Sequence, residues 1–321
     1  MKTKLIVSSF VLPFALSACA GGGGGNVVTP FVPALAPTPV STTLPGISVS
    51  VSGVVNTTNN TVTSLTAPAT DASTTVTTVG TIGRQGATGD VSSATATTSN
   101  ANGGNVTVNS NIVNSANFFG GYANFNNNGP ANPGIAASTA TLGIGGALPS
   151  TLGITPQSYT YVAFGNWLQC TANCTGTTPT LNAGYFVYGS ETPAGSIPNS
   201  STATYLGSTQ GTYTNNSGAQ FAAESALTVV ADFQNRSLNF TTSSSYTSPN
   251  SSTAPTADPS LNMTGTLTYP TGTTFSGSIT DGGGRNGTAT GRFYGPTANE
   301  VGGVYGVTGA AGTNVGSFAA K

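Results

Sequence analysis

The hydrophobic and polar positions of this chain alternate with a period of two, the period of a half-buried β-strand, and no helical period is evident. Between residues 46 and 155 the alternating runs carry small side chains, in ISVSVSGVV, TVTSLT, TTVTTVGTIG, NVTVNSNIV and TATLGIGG. We predict a modest β-rich region with disordered loops, because few large apolar groups are available to offset the entropy of ordering. The same composition also fits a passive stalk, and both interpretations stay open.

From Tyr159 onward the alternating runs become bulkier, and YTYVAFGNW places large groups on both faces of one strand. About ten short strand patterns follow with turn residues between them, which favours a β-sandwich or a barrel. An open sheet with so few charges would have unguarded edges, so we predict a closed antiparallel barrel. Glycines inside good strands predict bends or close backbone approaches at Gly265, Gly277, Gly291 and Gly303.

The N-terminus has the pattern of a signal peptide over residues 1–18. Lys2 and Lys4 precede an apolar run that ends in Leu16-Ser17-Ala18-Cys19. The last four residues resemble the bacterial lipobox, which implies acylation of Cys19, and an ordinary secretory signal is the alternative. By the same resemblance, Ala20 after the cysteine favours the outer membrane. Residues 19–45 are rich in Gly and then Pro, which predicts a flexible and then stiffened tether.

Charge is scarce in this sequence, and it excludes several classes of function. Only 5% of residues are charged, the formal net charge is −1, and there is no histidine. This composition offers no basic field for nucleic acid. The common general base and the usual zinc and haem ligands are missing, and the eight acidic residues are scattered. We therefore predict a protein that is not an enzyme and has no catalytic residue, metal site or cofactor.

Two cysteines remain once Cys19 is acylated, and they lie close together in CTANC. In an oxidising compartment, Cys170 and Cys174 are expected to form a disulfide that rigidifies a loop. If that loop lies at a barrel mouth, it shapes a recognition surface with Trp167 as its anchor. The segment DGGGRNG lacks the Lys-Ser/Thr ending of a phosphate loop and is interpreted as a hairpin.

The segment GRFYGPTANEVGGVYGV predicts two strands joined through a Gly-Pro corner. It also resembles the C-terminal barrel signature of transferrin-binding protein B and related surface lipoproteins. The matching residues are Gly291, Phe293, Tyr294, Gly295, Pro296, Ala298, Glu300, Gly302 and Gly303. Further resemblance lies in YVAFGNW, similar to the opening strand of that domain, and in GSETPAGSIPNSSTATYLGSTQGTY, VVADFQNRSLNF and the terminal GSFAAK.

This resemblance implies an all-β chain with an eight-stranded antiparallel barrel at residues 156–321, preceded by a smaller handle-like β-region at 46–155. Glu300 is a candidate for a buried or backbone-capping carboxylate rather than a catalyst, because carboxylates in unusual settings serve structure as well as chemistry. The resemblance also implies an outer-membrane, surface-exposed lipoprotein that binds a protein or small molecule, in iron, haem or other nutrient capture with a receptor or translocon. A haem iron would need a Tyr or Met ligand here, since histidine is missing. The alternative is a structural or adhesive surface lipoprotein with no solute ligand.

Overall fold

The structure is a computed structural model of the chain. It describes residues 40–80, 91–100, 104–110, 122–126, 140–145, 159–249 and 254–321. Over these residues the chain forms nineteen β-strands and two short 3-10 turns, Ala194–Ser196 and Pro259–Leu261. Neither turn has the length or hydropathy of a membrane-spanning helix. The predicted signal peptide, Cys19 and the tether before residue 40 lie outside the described residues.

The first ten strands form one antiparallel sheet, which we call the handle sheet. They are β1 (Val40–Asn56), β2 (Thr61–Leu65), β3 (Ala69–Asp71), β4 (Thr75–Gly80), β5 (Val91–Asn100), β6 (Gly104–Ser110), β7 (Tyr122–Asn126), β8 (Ala140–Gly145), β9 (Val162–Ala172) and β10 (Thr180–Gly189). Their order is β6-β5-β4-β1-β10-β9-β8-β7, and β2 and β3 pair with β1. The long strand β1 is central because it pairs with four others.

The remaining strands form the barrel. They are β11 (Thr202–Asn215), β12 (Gln220–Asp232), β13 (Ser237–Ser248), β14 (Thr256–Ala257), β15 (Met263–Thr268), β16 (Thr274–Asp281), β17 (Asn286–Tyr294), β18 (Glu300–Gly309) and β19 (Gly312–Ala320). Their order is β12-β11-β19-β18-β17-β16-β15-β13-β14, and β12 also pairs with β13. The two-residue β14 pairs only with the end of β13, at Tyr246 and Thr247, and the other eight strands close a ring. The predicted all-β fold with an eight-stranded antiparallel barrel is confirmed.

One assignment made from the sequence is wrong: YVAFGNW does not open the barrel. Its strand β9 and the following β10 belong to the handle sheet, where β10 pairs with β1 over nine residues. In that pairing Ile47 lies opposite Val187 and Val49 lies opposite Tyr185, which builds one continuous apolar face. The border between the two sheets therefore lies between Gly189 and Thr202, not at residue 155.

The predicted tether also ends earlier than residue 45, because Val40 already begins β1. The first six residues of β1 pair with β4, so the end of the proline-rich segment is part of the sheet. Pro45 lies opposite Thr75, at the last of these pairs, and Gly46 begins the pairing with β10. The chain therefore changes its strand partner at the Pro45-Gly46 step.

Aromatic side chains fill the barrel interior. Phe240 and Phe318 have ring centroids 5.1 Å apart, and Phe275 lies 5.3 Å from Phe293. All four rings are completely buried. They belong to one apolar cluster with the following residues among others: Leu227, Val229, Leu238, Met263, Leu267, Tyr269, Ile279, Val301 and Tyr305. This barrel is a packed core, as is usual for eight strands whose inward side chains meet.

The outer wall of strands β13, β15, β16 and β17 has a different composition. Its exposed positions carry hydroxyl or amide groups: Asn239, Thr241, Ser243, Ser244, Thr264, Thr266, Thr268, Ser276, Ser278, Thr280, Asn286 and Thr288. Each of these positions is uncharged. Because the strands pair around a closed ring, this wall has no unpaired edge strand. Charged residues are therefore not needed there to prevent edge-to-edge aggregation.

Candidate functional site: the junction of handle sheet and barrel

The handle sheet packs against the outside of the barrel through an apolar contact that we call the seam. Ile47, Val49, Val162, Phe164 and Val187 of the handle sheet cluster with Tyr294, Val304 and Ala319 of the barrel. These eight side chains are at most 1% exposed. The large residues on both faces of β9 are explained, because one face meets the barrel and the other lies within the handle region.

The family-like segment, residues 291–303, lies at one end of the seam. It covers the end of β17, the turn and the start of β18, with Tyr294 paired to Glu300. Gly295 has φ +87°, and a Cβ there would lie 2.7 Å from the ring of Tyr161, so only glycine fits. Pro296 is exposed in the turn, whereas Phe293 points into the barrel core and Tyr294 into the seam.

The two adjacent glycines of the segment face opposite sides of the barrel wall. A Cβ on Gly302 would lie 2.7 Å from Cγ2 of Val162, in the seam. A Cβ on Gly303 would lie 2.6 Å from Cζ of Phe318, in the barrel core, and 2.2 Å from the carbonyl oxygen of Thr290. Close approach on both sides of one strand explains why two glycines follow each other.

Glu300 caps the start of β9. Its carboxylate accepts backbone N–H bonds from Thr160 at 2.7 Å, from Tyr161 at 2.8 Å and from Val162 at 3.0 Å. The residue is 4% exposed. Next to it, the hydroxyl of Tyr159 donates to the carbonyl oxygen of Ala319 at 2.8 Å. Burial, together with the negative charge of Glu300, raises the pKa of the Tyr159 phenol well above its ordinary value. A buried or backbone-capping role was proposed for Glu300 from the sequence, and in the structure its carboxylate accepts these three backbone bonds.

Arg292 on β17 contacts three other parts of the molecule. Its guanidinium donates to the carbonyl oxygen of Ala72 in the β3–β4 turn at 2.7 Å, and Nε donates to Oγ1 of Thr274 at 3.3 Å. It also forms an ion pair with Glu191 in the connection between the sheets. Arg292 was not expected from the sequence to be a site residue, since it is not among the matching residues of the family signature. Its position beside them was the available signal.

The connection between the sheets, residues 190–201, is bound to the same segment. Gly295 N–H donates to Ser190 O at 2.9 Å, and Thr192 N–H donates to Phe293 O at 2.9 Å. The hydroxyl of Thr192 donates to the carbonyl oxygen of Gly295 at 2.7 Å. The connection from β10 to β11 is therefore hydrogen-bonded to the barrel already at Ser190 and Thr192.

The structure joins Cys170 and Cys174 by a disulfide, in the loop after β9. This loop leaves the handle sheet and not a barrel mouth. Trp167 is 2% exposed, donates from Nε1 to Oδ1 of Asn182 at 3.4 Å and packs against Phe186 with ring centroids 6.1 Å apart. The suggestion that Trp167 is an exposed recognition anchor is therefore wrong.

DGGGRNG forms the β16–β17 hairpin turn, and it contains a buried ion pair. Nε of Arg285 donates to Oδ2 of Asp281 at 2.6 Å, and Oδ1 of Asp281 accepts from the backbone N–H of Gly283 and Arg285. The guanidinium lies over the Tyr213 ring, 4.7 Å from its centroid. This arrangement fixes the turn internally. No group of three or more potential metal ligands occurs in the described residues.

The barrel residues are similar in sequence to a known family. Residues 197–321 match the sequence model of a family described as the C-lobe and N-lobe beta barrels of Tf-binding protein B. No curated protein matches the chain significantly.

Several solved structures are similar to this chain. Isotype 1 transferrin binding protein B of serogroup B Neisseria meningitidis is 15% identical, with a TM-score of 0.41 over 78% of this chain and 52% of that one. The N-lobe domain of lactoferrin binding protein B of Moraxella bovis is 17% identical, with a TM-score of 0.33 over 52% of this chain and 78% of that one. A mutant of transferrin binding protein B from Haemophilus parasuis is 15% identical, with a TM-score of 0.34 over 88% of this chain and 76% of that one.

Proposed function

We propose that the protein is a non-catalytic, ligand-binding lipoprotein of the bacterial outer membrane, because residues 197–321 match the family model of the Tf-binding protein B barrels. In this proposal the acylated Cys19 anchors the chain, and residues 20–39 hold the two sheets away from the lipid. The ligand is captured at the cell surface for uptake of iron, haem or another nutrient through a partner receptor or transporter.

The packed barrel interior is the observation that carries the proposal furthest. Phe275 and Phe318 lie 6.4 Å apart and both contact further rings, so the centre of the barrel is filled by its own side chains. The barrel interior therefore leaves no room for a ligand, and the proposal places recognition on the outer surface and the loops. Recognition on an outer surface favours a macromolecular ligand, because small molecules depend on concave sites that bury most of their surface. We therefore propose a protein ligand.

A pull-down experiment, in which the immobilised chain captures proteins from solution, tests this proposal. The tagged chain from Ala20 onward, immobilised without acyl groups, is exposed to purified transferrin, to lactoferrin and to fluid from the source environment. Captured proteins are identified by mass spectrometry, and their affinity is measured by calorimetry. We expect one saturable protein ligand. Capture of nothing, or of a small molecule alone, would contradict a protein-binding role.

A structural or adhesive lipoprotein without a solute ligand is the second candidate. The uncharged Ser, Thr and Asn positions on the exposed barrel wall favour it, since they offer no charged anchor for a specific partner. Deletion of the gene that encodes this chain distinguishes the two candidate functions. Loss of cell attachment with unchanged growth on limiting iron favours the second candidate, and the reverse outcome favours the first.

A further inference from the structure

We infer that Arg292 and Glu300 are positioning residues that hold the handle sheet in one fixed orientation on the barrel. The two parts then present a single preassembled surface. The fixed orientation does not depend on a ligand, and only its use in binding rests on the proposed function.

The seam alone specifies orientation poorly. Its centre consists of aliphatic and aromatic contacts, and hydrophobic attraction is non-directional. Gly302 and Gly306 make the barrel surface smooth where the handle sheet lies on it, since a Cβ on Gly306 would lie 2.5 Å from Cβ of Pro68. Directional bonds are therefore needed to select one orientation.

Hydrogen bonds between uncharged groups of the handle sheet and the barrel contribute to this selection, and each is a single bond. Tyr185 and Thr212 share a hydroxyl bond of 2.7 Å, and Val62 N–H donates to Gly218 O at 2.8 Å. Each involves one uncharged donor and one acceptor. Arg292 and Glu300 differ because their bonds are made by a guanidinium group and a carboxyl group, and charge-assisted hydrogen bonds are roughly twice as strong as neutral ones. These two residues therefore make the dominant directional contacts.

Glu300 fixes the register of the handle sheet along β9. Its two oxygens accept from three consecutive backbone N–H groups, at Thr160, Tyr161 and Val162. A shift of this segment by one residue would misplace all three donors. Arg292 fixes the other flank, because it contacts Ala72 in the turn after β3. In the handle sheet, β3 and β9 lie on opposite sides of the β1–β10 pair.

Attachment on both flanks opposes rotation about any single contact. The two residues are also close to each other on the barrel, since Arg292 pairs with Gly302 and Tyr294 pairs with Glu300 in the same ladder. One short segment of two adjacent strands therefore holds both sides of the handle sheet. This gives the segment 291–303 a function that its turn geometry alone does not require.

Amide hydrogen exchange on the full chain tests the Glu300 contact. Glu300→Gln keeps the shape but leaves one acceptor oxygen, so the amides of residues 160–162 are expected to exchange about tenfold faster or more. Asp258→Asn is the matched control, because this carboxylate caps a 3-10 turn through Ser260 and does not contact the handle sheet. Unchanged exchange at residues 160–162 in the Glu300 variant overturns the role of Glu300.

Distance measurement between spin labels tests the orientation itself. Cysteines at the exposed positions Thr63 on β2 and Thr266 on β15 carry the labels in the chain from Ala20 onward, with the native disulfide intact. We expect one narrow distance distribution for the parent chain. The distribution is expected to broaden in each single variant, Arg292→Gln and Glu300→Gln, and further in the double variant.

Arg236→Gln is the matched control for the arginine, since Arg236 bonds to Pro270 O on the barrel and not to the handle sheet. It is expected to leave the distribution narrow. Loss of barrel stability alone would not move the label distance in molecules that remain folded. If both single variants fold and keep the parent distribution, the seam itself sets the orientation and the inference is overturned.

Discussion

Gly303 faces the barrel core at a point where the backbone and one ring leave no space for a side chain. In Gly303→Ala the new Cβ would lie 2.2 Å from Thr290 O and 2.6 Å from the ring of Phe318. Overpacking of this kind costs about 1–3 kcal/mol of the free energy of unfolding. Chemical denaturation of the two proteins measures the difference.

Gly195 provides the matched control, because a Cβ there would meet nothing within 4 Å. Gly195→Ala is expected to leave the denaturation midpoint unchanged or slightly raised. A Gly303→Ala protein as stable as its parent would show that the barrel strands relax around the added methyl group.

Buried tyrosines determine how stability depends on pH at the alkaline end. Burial raises the pKa of Tyr159, Tyr188, Tyr294 and Tyr305 above their ordinary value of 10.0. The native state therefore favours the protonated phenols. Their contribution to stability is complete below pH 10.0 and is lost as the pH rises from there towards the folded-state pKa values.

This sequence has no histidine, so no His titrates near neutrality. We expect a flat unfolding free energy between about pH 6 and 9 and a steep fall above about pH 10. Denaturation midpoints across a pH series measure both parts of the curve. A transition near pH 7 would contradict the expected curve.

The β16–β17 hairpin depends on its internal ion pair. Asp281→Asn removes the charge opposite Arg285, which is 1% exposed. An unpaired buried charge costs about 3–5 kcal/mol, so the hairpin and its neighbouring strands should lose protection from amide exchange. Asp232→Asn in the β12–β13 turn is the control. Its carboxylate is exposed and bonds to Asn235, so we expect a much smaller loss of stability. Equal losses in the two variants would rule out a special role for the buried pair.

The elements show what sequence could and could not predict. Alternation and turn residues were sufficient for the barrel strands, because each hairpin of β15 to β19 is local and its register follows from short turns. The pairing of β1 with β10 was not predictable in this way. More than a hundred residues separate Ile47 from Val187, and apolar residues on both faces of a strand do not say which sheet it joins.

For the candidate site, too, the sequence indicated one residue but not its partners. Glu300 was recognisable as a structural carboxylate from its setting between a turn and a strand. Its partners, the N–H groups of residues 160–162, belong to the other sheet and carry no side-chain signal. Arg292 was passed over because its partner on the handle sheet is the carbonyl oxygen of Ala72, which any residue could supply.

At the scale of the whole molecule, Cys19 is predicted to decide where the protein resides. Cys19→Ala in the full-length chain should abolish incorporation of a palmitate analogue and release the protein from the membrane fraction. The double variant Cys170→Ser with Cys174→Ser is the control, because it removes the disulfide and leaves the lipobox intact. Labelling that survives in Cys19→Ala would place the acyl chains elsewhere or exclude them.

The exposed wall of the barrel, with its hydroxyl and amide positions, has a kinetic consequence. Long-range steering raises association rates only where surface charge creates a field, and strands β13, β15, β16 and β17 carry none at their exposed positions. A partner approaching this wall would associate at an unsteered rate of about 10⁵–10⁶ M⁻¹s⁻¹. The association rate constant on this side would then be the same at low and at high ionic strength.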